Sequence, residues 1–508
     1  MDDHAQHRAD TTEETVTSYQ PPPEHQSAAP PGSVGPTGRT ETLGDVVDRI
    51  GVTRTHYVAL VLVVLGGLFE VFEQLILSSL GPALQEAFGI DAARISILSS
   101  ITLLAVVAGG IIGGILGDRY GRRAVLSVSL AIYCVGTVIS AFSPTYEVLA
   151  LSRVVTGLGV GGEIAIGLTY LSELAPTKVR GVFVSLFNTV SAGVGTFLVF
   201  AYTLLVLGPV ATATGAGPDA WRWVFGLLGL PVVLIVFFRR YLPETPAHLL
   251  KRGDIEGTNR ALTQLARGRL RQGPGDDVTS FVDERTAAAS ESAQTHASAR
   301  QELASVLSPP LRRRTLVMSL ATFLAWGVQF SVIIIMPILL VQRGYSITGS
   351  LTLTMVQNLG ALVGACAATF ASYAVARGRV VAVGALAGAA SVVAFALFAH
   401  SALSILVIGF VLQVFCLMVN TTLWLWAPEL YPTNVRAFGT SLIVNVGFLG
   451  GAVMPVVATV VFEQVGAVPA FVVLAGMYVV MALLMALATE TRGVSLERLH
   501  GKSTVAAT

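Results

Sequence analysis

Long apolar segments separated by short polar loops make up most of this chain. Twelve such segments lie near residues 57–79, 95–117, 122–142, 147–171, 181–207, 222–241, 315–340, 350–373, 379–399, 402–427, 437–462 and 468–488. A helix needs about 20 apolar residues to cross the hydrocarbon core of a bilayer. Each segment meets that length to within a few residues, so the pattern predicts twelve membrane-spanning helices.

The polar stretches between and beyond these segments predict the domain organisation. The N-terminal tail is rich in Pro, Ser, Thr and Gln and has no apolar periodicity, which is typical of disorder. A polar segment in the middle contains a helical pattern over 257–265 and is interpreted as a cytoplasmic bridge. The predicted units are a tail over 1–43, an amphipathic lead-in over 44–56, an N-terminal six-helix bundle over 57–241, the bridge over 242–314, a C-terminal six-helix bundle over 315–490 and a tail over 491–508.

Two sequence echoes indicate that the chain consists of two related halves. Glu173-Leu-Ala-Pro176 recurs as Glu429-Leu-Tyr-Pro432, 256 residues later. Gly121-Arg122 has a candidate counterpart in Gly378-Arg379, at an offset of 257 residues. In membrane proteins, duplicated halves are typical of transporters whose binding site lies between them.

Composition excludes several other classes of protein. Only 12% of the residues are charged, against about 25% in soluble proteins. The net charge of +1 gives no basic field that would attract nucleic acid. The three cysteines, Cys134, Cys366 and Cys416, lie in apolar segments and are interpreted as small hydrophobic residues. No metal site, cofactor, catalytic group or nucleotide-binding loop is expected.

Basic residues in the short loops predict the orientation in the membrane. One set of loops carries eight of them, namely Arg119, Arg122, Arg123, Lys178, Arg180, Arg377, Arg379 and Arg436. The opposite set carries three, namely Arg94, Arg222 and Arg343. Because cytoplasmic loops are enriched in Lys and Arg, we expect the richer side, both termini and the bridge to be cytoplasmic, in a plasma-membrane protein.

The run from Gly114 to Arg123, Gly-Ile-Leu-Gly-Asp-Arg-Tyr-Gly-Arg-Arg, resembles the signature loop of the major facilitator superfamily. With twelve spans and two halves, the chain resembles that superfamily along residues 44–495. The resemblance implies an all-α membrane protein of two pseudo-symmetric six-helix bundles that works as a monomer by alternating access. It also implies that the loop is a conformational latch. The second copy, Val375 to Arg379, lacks the acidic residue, which argues against a second latch.

Further motifs are similar to those of the sugar-porter-related branch. They include Arg153-x-x-x-Gly157-x-Gly159-x-Gly161, Pro243-Glu244-Thr245-Pro246 and Glu490-Thr-Arg-Gly493. In that branch, acidic residues of the cytoplasmic motifs pair with basic latch residues at helix ends. The predicted latch residues are Asp118, Arg119, Gly121, Arg122, Arg123, Glu173, Arg180, Glu244, Glu429, Arg436 and Glu490.

Four charged residues lie within the predicted spans and away from their ends: Glu70, Glu73, Arg153 and Glu163. A charge at the centre of a span costs about 2.5–3.5 kcal/mol on insertion scales, so each is a candidate for function. Arg153 is the evident partner for a span-one carboxylate, and such a carboxylate can couple proton movement to conformation. In proton-coupled sugar porters an acid in span one faces the arginine of span four, and Glu73 and Arg153 occupy those positions.

All four residues are therefore predicted to serve proton coupling, with a structural alternative for each acid. Glu73 could form a static salt bridge, Glu70 could line water without carrying a proton, and Glu163 could anchor spans one and four together. If Glu73 couples, Glu73→Gln should abolish proton-driven accumulation and leave exchange measurable.

The spacing of these acids resembles two groups within the branch. Two acids three residues apart in span one resemble the aromatic-acid:proton symporters. Gly161-Gly162-Glu163 is similar to the nicotinate-transporter and synaptic-vesicle-protein group. The predicted function is a proton symporter that imports a small organic acid, aromatic or nicotinate-like. The alternatives are a sugar or polyol:proton symporter, a drug or metabolite exporter, and a non-transporting sensor.

Polar and aromatic residues within the spans are the candidates for contact with the cargo, because ligand sites combine apolar walls with a few placed polar groups. They are Asn188, Trp326, Gln329, Gln357, Asn358, Asn420, Trp424 and Asn445. Single amides in spans also serve helix packing, so each has a structural alternative.

Overall fold

The computed structural model describes residues 41–271, 277–292, 299–432 and 435–491. Most of the predicted N-terminal tail and nearly all of the C-terminal tail lie outside these residues. Within them, twelve helices are long and apolar enough to cross a membrane. They are α1 (Arg54–Phe88), α2 (Ala92–Tyr120), α3 (Arg122–Ala141), α4 (Tyr146–Leu174), α5 (Thr177–Thr214), α6 (Gly217–Tyr241), α7 (Leu311–Gln342), α8 (Ile347–Ser372), α9 (Arg377–Phe398), α10 (Ala402–Leu430), α11 (Arg436–Gln464) and α12 (Ala467–Leu487).

The prediction of twelve spans is confirmed, and the helices extend beyond the apolar segments at several ends. The second span, expected over 95–117, is the helix Ala92–Tyr120. Its first turn is capped by Asp91, whose carboxylate accepts the Arg94 amide at 2.8 Å. Apolar periodicity marks only the part of a helix that lies in lipid, whereas capping residues set where it begins.

The two six-helix halves repeat the same close helix pairing. In the first half α2 packs on α4, and a Cβ added at Gly109 would lie 2.2 Å from the Leu158 carbonyl oxygen. In the second half α8 packs on α10, and a Cβ at Gly364 would lie 2.1 Å from the Val414 carbonyl oxygen. Both glycines allow backbones to touch, as small residues do in membrane helix pairs. The fold is all-α, with two pseudo-symmetric bundles.

The bridge and the lead-in lie against one end of the bundle, which we call the bridge end; the opposite end is the far end. The bridge contains the helices Pro246–Lys251, Ile255–Ala266, Glu284–Ser292 and Ala299–Val306. The Thr53 hydroxyl at the start of α1 donates to the Leu265 carbonyl oxygen at 2.7 Å. In the lead-in helix Leu43–Ile50, hydrogen bonds from Thr42, chiefly from its backbone amide, lower the pKa of Asp45.

At the far end the two halves are in contact. The α1 residues Leu77 to Pro82 are buried, and a Cβ at Gly81 would lie 3.5 Å from Ile338 of α7. The Ala92 amide at the start of α2 donates to the Glu463 carboxylate near the end of α11, at 2.5 Å. The Ser100 hydroxyl of α2 donates to the Ala452 carbonyl oxygen of α11. The far end is therefore closed in this structure.

Candidate functional site

A central cavity of about 120 Å³ lies between the halves. Helices α1, α4 and α5 line it from the first half, and α7, α10 and α11 line it from the second. In α5 the α-helix gives way to a π-helical stretch, Thr189–Val194, which places Ser191 and Ala192 on the cavity wall. Single π-helical turns are frequent at functional sites.

The first-half wall combines apolar side chains with a few polar ones, among them Glu70. Among the described residues that line the cavity, Glu70 is the one charged side chain. The Gln74 amide donates to its Oε1 at 3.0 Å, whereas Oε2 is buried with no hydrogen-bond partner in the described residues. The hydroxyl of Ser191, on the same wall, also lacks a partner there. Buried polar groups are nearly always paired, so these atoms are open positions for a ligand.

The second-half wall is aromatic. The Trp326 and Trp424 rings are nearly parallel, with centroids 6.3 Å apart and an interplanar angle of 11°. The Phe448 ring meets the Trp326 ring edge-on at 4.5 Å. Gly447 leaves room for Trp326, because a Cβ there would lie 3.2 Å from the indole. Asn420 adds an unpaired Oδ1, while its Nδ2 donates to the Cys416 carbonyl oxygen at 2.9 Å. The wall offers a flat apolar face beside an open acceptor.

Five of the eight predicted cargo-contact residues line this cavity, and three do not. Asn188, Trp326, Gln329, Asn420 and Trp424 line it. Gln357 instead donates to the Ile405 carbonyl oxygen at 2.8 Å, and Asn358 accepts from Gln413 at 2.6 Å. These two amides tie α8 to α10. Asn445 donates to the Ser441 carbonyl oxygen of its own helix at 2.9 Å.

Glu73 and Arg153 form a buried ion pair inside the first half, away from the cavity wall. Both side chains are 0% exposed, and Arg153 Nη1 lies 3.0 Å from Glu73 Oε2. Arg153 also donates to the Glu73 carbonyl oxygen at 2.7 Å, and the Thr137 hydroxyl donates to Glu73 Oε1 at 2.5 Å. Every side-chain oxygen of Glu73 therefore has a partner, from α3 or α4.

Glu163 is the third buried carboxylate, and it is placed nearer the bridge end than Glu70. Its Oε1 would lie 2.2 Å from a Cβ at Gly66 of α1, so only glycine leaves room for it. Its Oε2 has no hydrogen-bond partner in the described residues. Glu70 and Glu163 repel each other when both are ionised. Glu70 and Glu163, which each have one carboxylate oxygen without a hydrogen-bond partner, are thus neighbours. Arg153 does not neutralise either of them, because it is paired with Glu73.

The first-half latch joins α2, α3 and α4 at the bridge end. Arg122 Nη2 lies 2.7 Å from Asp118 and 3.1 Å from Glu173. Glu244 accepts the Arg122 amide at 2.7 Å and so caps α3. Gly121 has φ +100°, and a Cβ there would lie 2.5 Å from the Glu244 carboxylate. The latch therefore depends on a glycine both for its turn and for its space.

A histidine lies beside this latch on the bridge. His248 is 3% exposed. Burial is the main cause that lowers its pKa, and Glu244 opposes the shift. His248 is therefore neutral at neutral pH and adds no positive charge to the latch.

The second half has a corresponding ion pair, although it lacks the acid of the first. Arg377 Nη2 lies 2.5 Å from Glu429, and Glu490 accepts the Arg377 amide at 3.2 Å. Arg377 thus occupies the place of Arg122, because α9 begins at Arg377 as α3 begins at Arg122. The offset of 257 that pairs Arg122 with Arg379 is wrong by two residues. The second half therefore has an ion pair at this position, although its loop lacks the acidic residue that the first-half loop contains.

Four of the predicted latch arginines form none of these ion pairs. The Arg123 guanidinium donates to the Leu242 carbonyl oxygen at 3.2 Å. Arg119 is exposed and lies over the Tyr120 ring at 5.3 Å. Arg180 is exposed at the start of α5. Arg436 donates to the Tyr431 carbonyl oxygen at 3.3 Å. Charge alone did not distinguish them from Arg122.

Several lining residues escaped the sequence analysis: Gln74, Ser191, Thr196, Thr421 and Phe448. Gln74 could have been predicted from the sequence, because residues four apart share a helix face and Gln74 lies one turn after Glu70. The others are ordinary small or aromatic residues within spans, and nothing in the sequence indicates that their side chains point into the cavity.

Comparison with known proteins decides the family. The model of the family described as "Sugar (and other) transporter" matches residues 43–502. The chain belongs to this family. It is 28% identical over 461 residues to the niacin transporter NiaP of Acinetobacter baylyi, which covers 89% of this chain and 98% of that protein. It is 26% identical over 449 residues to organic cation/carnitine transporter 7 of Arabidopsis thaliana, covering 82% and 88% of the two chains.

The solved structures agree on the fold. The inward-open xylose transporter XylE of Escherichia coli superposes with a TM-score of 0.68 at 18% identity, covering 88% of this chain and 99% of that one. The protein is thus a multi-pass membrane transporter of the major facilitator superfamily and not an enzyme.

Proposed function

We propose that this transporter imports a small aromatic organic acid, nicotinate-like, together with protons. The observation that carries the proposal is the cavity itself: an aromatic wall faces a single carboxylate with an open oxygen. The 28% identity with a niacin transporter supports a cargo of this class.

In this proposal Glu70 couples the cargo to the proton. An ionised Glu70 repels a carboxylate in the same small cavity, and an unpaired buried charge is costly. A protonated Glu70 is neutral and can donate a hydrogen bond to the anion. The anion therefore enters with a proton on Glu70, and the two move together. We assign the principal coupling role to Glu70 and not to Glu73, because both carboxylate oxygens of Glu73 already have partners, in Arg153 and Thr137.

The charged and titratable groups around Glu70 fit this role. Glu163 of α4 disfavours ionisation of both acids at once. Glu73 lies one turn further along α1, and its charge is balanced by Arg153 of α4. Tyr133 of α3 is buried, and its hydroxyl has no hydrogen-bond partner in the described residues. On this arrangement Glu163 holds the proton after Glu70 on the way to the bridge end.

The decisive experiment measures nicotinate affinity of the purified protein in lipid nanodiscs between about pH 5.5 and pH 7.5. If one proton must bind with each anion, the dissociation constant should rise about tenfold per pH unit above the titration of Glu70. Glu70→Gln mimics the protonated acid, so it should bind nicotinate with little pH dependence. In proteoliposomes this variant should exchange cargo but not accumulate it.

The matched control is Glu86→Gln, an exposed acid near the end of the same helix, which should behave as the parent protein does. Unaltered pH-dependent accumulation in Glu70→Gln would remove Glu70 from the mechanism.

An organic cation is the second candidate cargo, because ionised Glu70 and the tryptophan faces can bind a cation directly. The relative from Arabidopsis thaliana is named as a transporter of organic cations and carnitine. The same titration distinguishes the two, since cation affinity should rise with pH. Sugars and polyols complete the panel as neutral cargoes, for which affinity should change little with pH.

The remaining features of the proposal concern placement and assembly. We propose a plasma-membrane monomer with the bridge end and both termini in the cytoplasm, as the distribution of loop arginines predicts. Protease accessibility of each terminus in sealed vesicles tests that orientation.

A further inference from the structure

We propose that Glu463 is a positioning residue that holds the far end closed by capping a helix of the other half. Its carboxylate accepts the Ala92 amide at 2.5 Å and the Ala93 amide at 3.3 Å, at the first turn of α2. Glu463 belongs to α11 and α2 to the first half. The cap therefore exists only while the two halves touch.

The partial charges of the two helix ends determine which conformation this contact favours. Glu463 is the penultimate residue of α11, where the carbonyl end of its own helix disfavours a carboxylate. The amide end of α2 favours one. When the far end opens, Glu463 loses the favourable helix end and keeps the unfavourable one. Only the interaction with α2 differs between the two states, and it favours the closed far end.

The cap is supported by a seam of close contacts along the same pair of helices. The Ser100 hydroxyl donates to the Ala452 carbonyl oxygen, and a Cβ at Gly451 would lie 3.4 Å from Leu103. Asp91 caps the same helix from within, taking the Arg94 amide. The first turn of α2 therefore stays capped by Asp91 in either state, and Glu463 adds only the contact between halves.

The charged groups around the cap are few. Asp91 and Glu463 bring two carboxylates to one helix end, which limits the strength of the cap. Arg94 lies in the same turn and over the Tyr146 ring at 5.7 Å. Because no cargo atom is involved, the role of Glu463 is independent of which molecule the protein transports.

The test measures the opening of the far end directly. Spin labels on cysteines introduced at Ala87 and Val468, in a protein with Cys134, Cys366 and Cys416 replaced, report the distance between halves in nanodiscs. Glu463→Ala should raise the ratio of far-end-open to far-end-closed molecules about tenfold. Glu463→Gln keeps an acceptor oxygen without the charge, so it should give a smaller shift.

Glu86→Ala is the matched control, because it removes an exposed acid from the last turn of α1, also at the far end. It should leave the distances unchanged. Unchanged distances in a folded Glu463→Ala protein would overturn the proposal, as would an equal shift in Glu86→Ala. If the parent protein failed to bind nicotinate while Glu463→Ala still shifted the distances, the proposed function would be contradicted and the role of Glu463 would stand.

Discussion

At the scale of single residues, the three carboxylates within the spans differ in whether both of their oxygens have hydrogen-bond partners. Glu73 has partners for both carboxylate oxygens, whereas Glu70 and Glu163 each keep one open. The sequence showed that Glu70 and Glu73, three residues apart, lie on neighbouring faces of one helix. It could not show which face meets the cavity, because that depends on how α1 packs between α4, α5 and α7.

This difference predicts that Glu73→Gln acts mainly on stability. The change leaves Arg153 buried at 0% exposure without a counter-charge, and breaking a buried pair costs about 3–5 kcal/mol. We expect a lower apparent unfolding temperature in detergent and poor recovery of monodisperse protein. Replacing both partners, in Glu73→Gln with Arg153→Gln, should restore most of the stability, because no unpaired charge remains.

The coupling interpretation of Glu73 predicts a different result. In that case Glu73→Gln would fold as the parent protein does and lose only proton-driven accumulation. Measuring the unfolding temperature and uphill uptake on the same preparation separates the two interpretations.

At the scale of helices, apolar periodicity was sufficient to predict the number of spans and their positions in the sequence. It was not sufficient to predict which way each polar side chain points. Twelve spans were predictable because lipid requires long uninterrupted apolar segments. The amides of Gln357 and Asn358 resemble those of Asn188 and Gln329 in sequence, yet they bond between α8 and α10. A polar residue in a span satisfies either a neighbouring helix or a ligand, and only tertiary packing decides between them.

Close helix pairing gives the prediction at this scale, Gly109→Ala in α2. The added methyl group would lie 2.2 Å from the Leu158 carbonyl oxygen, so α2 and α4 must separate. Overpacking of this kind costs about 1–3 kcal/mol, and we expect a measurable drop in the unfolding temperature. Gly114→Ala is the control on the same helix, because a Cβ there meets nothing within 4 Å. An equal effect of the two changes would point to helix flexibility and not to the α2–α4 contact.

At the scale of the whole molecule, the two halves carry different parts of the mechanism. The first half holds the membrane carboxylates and the latch with Asp118, and the second supplies the aromatic wall. The duplicated motifs made the two halves predictable. The register of the second ion pair was not predictable, because the recurring Gly-Arg dipeptide at 378–379 lies inside α9, which begins at Arg377. A cargo bound between the halves touches both, and its transport requires the far end to open.

That requirement can be tested by fixing the far end in its closed state. Ser100 of α2 and Ala452 of α11 are in contact, because the Ser100 hydroxyl donates to the Ala452 carbonyl oxygen. Disulfides form between cysteines whose Cα atoms lie about 4.4–6.8 Å apart. In a protein without its three natural cysteines, Ser100→Cys with Ala452→Cys should crosslink under mild oxidation. The oxidised protein should still bind cargo but should not transport it, and reduction should restore transport.

A second pair shows whether the block comes from the seam itself. Ile97 lies three residues before Ser100 in α2, and its side chain is 39% exposed whereas that of Ser100 is buried. Ile97→Cys with Ala452→Cys should therefore neither crosslink nor lose transport under the same oxidation. If the crosslinked Ser100 pair continued to transport, the two halves would not need to part at this seam. Transport would then require a route other than alternating exposure of the central cavity, and the closed far end would be a permanent feature of the fold.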